Sequence, residues 1–315
     1  MNIVLEVSTP VFGLGLLGYF AARMGYFSTH HADGLAKFVY DFAVPLLLFR
    51  TLAGAGQVGD IPWRLVVAYY TPMAVFYAAG MLISRLAFKR DFNAQVITGF
   101  SFSYGNAILL GLPLALLTFG EEDALPFFIL LAFHALLAFT LTTLALEYGR
   151  SGGQAVGPRL AGMLKGVLTN PILVGVAAGA LFNRLGWAIP GPLDALAAFM
   201  QNAVTPCALF ALGATLTRYG IAGRIKQTGV IILAKCALFP LAVWLSCRWV
   251  FAIEPLWSAV AALMAAQPVG VNVFIFAERY NTARAMATTA VFLSTVFSLL
   301  SIPVLLYFID LYALR

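Results

Sequence analysis

In this chain of 315 residues, 62% are hydrophobic and only 10% charged, and the mean hydropathy is +0.91; a soluble globule carries about 25% charged residues. The net charge of +6 does not point to nucleic acid, because the basic residues gather into no cluster or stripe. Without the period-two alternation of a lipid-facing barrel, the composition leaves an all-α polytopic membrane protein whose surroundings are lipid.

The first apolar run, 4–24, contains Glu6, and no basic residue precedes Arg23, so it is expected to stay as a helix and not be cleaved as a signal peptide. The second, 33–53, carries Asp41 and Pro45, and the third spans 63–86. The fourth, 92–119, is interrupted at Ser101-Phe102-Ser103-Tyr104-Gly105-Asn106, with Gly111 and Pro113 following. The fifth, 125–148, holds His134 and ends beside Glu147. The polar, glycine-rich stretch that follows divides the chain into a first half, 1–149, a linker, 150–160, and a second half, 161–315. Runs at 162–185 and 192–217 come next, then 227–251 with Lys235 and Pro240. The ninth, 255–279, is broken at Gln267-Pro268-Val269-Gly270-Val271-Asn272, and 285–312 closes the chain. Each run is long enough to cross a bilayer as a helix, which takes roughly 20 residues.

Of the nineteen Lys and Arg, thirteen fall on one side of these spans and five on the other, with Lys235 inside one. The positive-inside rule then places the loop at 86–91 and the linker in the cytoplasm, and both termini outside. The two halves match at a constant offset of 161: Pro10 with Pro171, Gly18 with Gly179, Arg23 with Arg184, Asp33 with Asp194, Pro45 with Pro206 and Phe49 with Phe210. Five spans per half is odd, so the second copy is inverted. Ten helices as two inverted five-helix repeats is a transporter architecture that places its site at the midplane, between broken helices.

Spans four and nine occupy equivalent places in the repeats, and both are broken. Their second halves begin near Asn106 and Val269 and present positive dipole ends with free N–H groups, a setting for one carboxylate. Gly105, Asn106, Gln267, Pro268, Val269 and Asn272 are therefore the candidate substrate-binding residues. Carbonyls at the ends of the first halves suit a cation instead, so a cation/proton antiporter or sodium-coupled symporter stands as the alternative. That alternative wants carboxylates at the crossing, and spans four and nine offer only Glu278, near one end. Ionisable groups inside spans are functional by default, which makes Asp41, Lys235 and His134 the coupling candidates; the repeat-mate of Asp41 is Asn202. No Ser/His/Asp set, His/Cys metal cluster or phosphate loop is present. Hence no enzyme, no metal and no cofactor is expected.

The stretches YGNAILLGLPLALLTFG (104–120), TNPILVGVAAG (169–179) and QPVGVNVFIFAERYN (267–281) resemble the auxin efflux carrier family, which includes plant auxin carriers and bacterial carriers of malonate and similar acids. The resemblance covers nearly the whole chain. It implies crossing broken helices four and nine of the bile-acid-symporter type, elevator movement of a transport domain against a scaffold, a homodimer, and a bacterial inner-membrane location. The family's Pro-Asn in span four reads Gly105-Asn106 here; Asn106 and Pro268 carry over, and the first proline does not.

Overall fold

A computed structural model describes residues 3–54, 62–151 and 169–312. Helix forms in every apolar run named above, interrupted at 104–106 and 266–270, and among the described residues no strand forms beyond one isolated bridge, Gly105 with Val269. Residues 152–168, which hold most of the linker and the start of the sixth run, lie outside the described residues.

The helices are α1 (Ile3–Arg23), α2 (Thr29–Phe38), α3 (Val44–Gly54), α4 (Trp63–Leu86), α5 (Phe92–Ser103), α6 (Leu112–Asp123) and α7 (Leu125–Ser151). Then come α8 (Pro171–Arg184), α9 (Gly191–Leu216), α10 (Ile225–Leu233), α11 (Phe239–Leu245), α12 (Pro255–Ala265), α13 (Val271–Arg279) and α14 (Arg284–Tyr312). Among the described residues, six helical segments are long and apolar enough to cross a membrane: Val4–Arg23, Trp63–Leu86, Leu125–Arg150, Gly191–Leu216, Ile225–Val250 and Arg284–Tyr312. The chain is thus a polytopic membrane protein. The α2–α3 run fails on composition, since Asp33, Lys37 and Asp41 dilute its apolar residues, and α12 fails on length.

Several helices shift to π-helical hydrogen bonding in mid-run. Turns of this kind cover Val39–Ala43, Ala107–Gly111, Ala234–Leu238 and Ser246–Val250, and two residues after each of the first three stands a proline: Pro45, Pro113 and Pro240. A proline lacks the N–H and its ring collides with the carbonyl four residues back; a widened turn moves that carbonyl aside without breaking the helix. Asp41 and Lys235 both sit on such turns.

Two groups of helices emerge from the packing. In the first, α1 lies along α9, α3 along α8, and α2–α3 against α9. The second is built around α4 with α5, α11 with α12, and α10 with α14. The first group is close-packed through glycine. A Cβ on Gly18 would fall 2.1 Å from the Phe210 carbonyl oxygen, and one on Gly179 would fall 2.7 Å from that of Phe49. Any side chain at either position separates the helices.

α2–α3 and α9 run antiparallel and are tied at both ends. Arg218 donates to Asp33 through both terminal nitrogens (2.9 and 2.6 Å) and to the Thr29 carbonyl (2.8 Å). At the other end Arg50 donates to Asp194 at 2.7 Å and to Gln201 at 3.1 Å, and Gln201 donates to Glu121 on α6. Asp33 and Arg50 are separated by about 25 Å of helix at 1.5 Å per residue, so the ties lie at opposite faces of the bundle.

Candidate functional site

Helix α5 starts on an Asp91 cap, whose side chain accepts from the Ala94 amide, and it stops at Ser103. Tyr104 is extended (φ −99°, ψ 119°) and Asn106 non-helical, so the chain resumes helical winding only at Ala107. On the other broken span, α12 ends at Ala265 because Pro268 has no N–H to continue it and holds Gln267 out of the helical region. Gly270 is extended (φ −68°, ψ 142°) and α13 begins at Val271.

The two extended stretches pass each other antiparallel and satisfy each other. The Asn106 amide donates to the Pro268 carbonyl at 2.9 Å, and the Gly270 amide donates to the Tyr104 carbonyl at 3.1 Å. The Val269 amide donates to Ser294 Oγ at 3.0 Å. Unpaired backbone groups cost several kcal/mol each in lipid, and this reciprocal pairing is what lets both helices break at one place. The pairing is incomplete on one side. The amides of Ile108, Val271 and Asn272 donate to no acceptor among the described residues, and all three residues line one cavity of about 420 Å³.

That cavity is walled by the crossing on one side and by α2 and the end of α9 on the other, with Asp33, Lys37, Tyr40, Asp41, Thr215, Arg218 and Tyr219 contributing. Asn106 caps the resumed helix through Oδ1, which accepts from the Leu109 amide at 3.3 Å, and its Nδ2 stays unbonded on the cavity wall. Asn272 Nδ2 donates to the Tyr104 hydroxyl at 3.2 Å. The charges at the mouth are matched in pairs, Asp33 with Arg218 and Lys37 with Asp41. Its hydrogen bonds to Asp33 hold the Arg218 guanidinium above its usual range, and burial pushes the Tyr219 phenol up to about 12, so it stays a donor at neutral pH.

Of the residues singled out from sequence, Gly105, Asn106, Asn272 and Asp41 meet at this cavity. Gln267, Pro268 and Val269 do not line it. Gln267 is fully buried, its Nε2 donating back to the Leu263 carbonyl at 2.8 Å, and Val269 is likewise buried. Lys235 is fully buried behind the crossing, where its Nζ donates to the carbonyls of Ala265 (2.5 Å) and Gln267 (2.7 Å). His134 is buried too, stacked on the Tyr104 ring at 4.7 Å and 13°. Tyr104, Tyr40 and the Asp33–Arg218 pair were missed. Tyr104 borders the sequence break, which was the available signal, whereas the pairing of residues 185 apart left none. Among the described residues no group of three His, Cys, Asp or Glu side chains is placed to hold a metal.

Chemically, the cavity offers hydrogen-bond donors and positive helix ends at its depth, and neutralised charges at its mouth. Residues 3–156 and 160–306 match the family described as membrane transport protein. The chain is 29% identical, over 95% of its length and 94% of the relative's, to a Rhizobium meliloti protein to which malonate transport is provisionally ascribed. It is 24% identical to auxin efflux carrier component 8 of Arabidopsis thaliana, covering 98% of each chain. It is also 26% identical to the lysosomal cholesterol signaling protein of Mus musculus, over 90% of this chain and 35% of that one.

Proposed function

Because the chain belongs to the membrane transport protein family, the family of the auxin efflux carriers, we propose that it is a secondary carrier of small organic carboxylates, malonate-like or auxin-like, in a bacterial inner membrane. One observation carries this: the three unbonded amides of Ile108, Val271 and Asn272, at two half-helix N-termini, converge on one cavity beside Asn106. Free N–H groups at converging helix starts bind anions. A carboxylate there accepts from these amides and from Asn106 Nδ2, with the rest of the molecule among Tyr40, Tyr219 and Phe274.

The architecture behind this is ten spans in two inverted repeats. It is supported by contacts that exchange under the offset of 161: Gly18 against Phe210 and Gly179 against Phe49. Asp33 and Asp194 are repeat-mates as well, and each is tied to an arginine of the other half, Arg218 and Arg50, although the two arginines are not themselves related by the offset. We assign the close-packed group of α1, α2–α3, α8 and α9 to the scaffold, and the group bearing the crossing to the moving, elevator-type part. The cavity runs to the end bearing Asp33 and Arg218, the cytoplasmic end by the basic bias, so this arrangement is inward-facing. Asp41 is the coupling residue on the cavity wall, with Lys37, a mostly exposed side chain, as its releasable partner.

Titration calorimetry of the purified protein with malonate, succinate and indole-3-acetate, against their neutral amides, tests the assignment. Carboxylates are expected to bind and amides not. Equal binding of both, or binding of neither while Na⁺ alone stabilises the protein, rejects it in favour of a cation carrier.

A further inference from the structure

In broken-helix carriers the carbonyls freed where a first half-helix unwinds are the usual seat of a coupling cation. Here those of α12, Ala265 O and Gln267 O, point at Lys235 Nζ from 2.5 and 2.7 Å. The ammonium lies 5.0 Å from the face of the Phe239 ring, is fully buried, and has no carboxylate within salt-bridge distance among the described residues. Gln267 Oε1, on the same residue as one of the two carbonyls, is buried without a partner. Every group that touches the ammonium is therefore a neutral dipole or ring, the ligand set of a monovalent cation and not of an ion pair.

The space for it comes from the other broken helix. A Cβ at Gly105 would lie 3.1 Å from Nζ and 2.9 Å from Gln267 Cβ. The residue that replaces the family's proline is thus the one whose missing side chain leaves room for the lysine head. Gly105 also lines the cavity on its opposite face, so a carboxylate at the crossing sits one backbone thickness from the ammonium.

We infer that the crossing contains a monovalent-cation site formed by the Ala265 and Gln267 carbonyls, and that Lys235, admitted by Gly105, fills it permanently in place of a free ion. Lys235 is a positioning residue: it closes the unwound end of α12 and places a fixed positive charge behind the substrate. The site exists whether or not the cargo is a carboxylate, while the role of the charge toward substrate rests on the proposed function.

The test is thermal melting of the purified protein without substrate. Wild type melts at the same temperature in NaCl and in choline chloride of equal ionic strength. Lys235→Ala melts lower, and ethylammonium at millimolar concentration, small enough for the vacated space, restores most of the loss by binding the native state; choline does not. Lys235→Met, which fills the space without charge, is not restored by ethylammonium. Na⁺-dependent melting of wild type overturns the inference, as does a Lys235→Ala protein indifferent to ethylammonium, or one that choline restores equally. If Lys235→Ala yields no folded protein, the wild-type comparison of Na⁺ with choline decides by itself. Because no carboxylate is present, absence of carboxylate binding rejects the proposed function and leaves this result standing.

Discussion

Asn106 divides its side chain: Oδ1 caps the resumed helix, while Nδ2 is unbonded on the cavity wall, where the proposed carboxylate would accept from it. Removing a hydrogen bond to a charged group costs about 1.5–3 kcal/mol, so Asn106→Ala is expected to weaken carboxylate binding roughly 10- to 100-fold in calorimetry. Asn272 already spends its Nδ2 on the Tyr104 hydroxyl, and Asn272→Ala should weaken binding by a smaller factor. An unchanged dissociation constant in Asn106→Ala would remove this residue from the site. Asp41→Asn keeps the shape of the side chain and removes its charge, and is expected to flatten the pH dependence of transport in proteoliposomes. A wild-type profile would make Asp41 structural. At this scale the sequence is informative where a polar residue stands in an apolar run, as at Asn106, Asn272, Asp41 and Lys235. It is silent where a role arises from packing, because nothing local pairs Arg218 with Asp33 or turns the Gln267 side chain away from the cavity.

Both breaks in the helices are written in Gly105-Asn106 and Gln267-Pro268, where local chemistry opposes helix without any help from tertiary contacts. The π-turns are not legible in the same way. They shift hydrogen-bond register while the apolar pattern continues; prolines two residues beyond hint at three of them, and nothing local marks the one at Ser246–Val250. Pro268 tests the element as such. Pro268→Ala supplies an N–H with which α12 can extend, pulling the residue away from the Asn106 amide that its carbonyl now receives. Transport rate is expected to fall more than affinity, measured as initial uptake rate against the calorimetric constant. An unaltered rate would show that the proline only shapes packing.

Over the whole molecule, span positions were readable because lipid demands long apolar runs, and helix is found in each of them where residues are described. Which helix packs on which was not, since lipid-facing and protein-facing leucines look alike in sequence; contact between α1 and α9 depends on glycines whose partners lie nearly 200 residues away. Sidedness is open to a direct check. Single cysteines at Lys89 and Asp123, in a chain stripped of Cys207, Cys236 and Cys247, should react with an impermeant maleimide from opposite faces of the membrane. Labelling from the same face contradicts the span count.

The paired charges at the cavity mouth bear on kinetics. With Asp33 matched by Arg218 and Lys37 by Asp41, the side chains of the opening cancel one another, and any long-range steering of an anion has to come from the unpaired basic residues of the surrounding face, within a Debye length of about 8 Å at physiological ionic strength. Deeper in, helix ends and a buried ammonium act where mobile ions screen far less. Added salt should therefore slow the arrival of the proposed carboxylate and leave its residence time nearly unchanged.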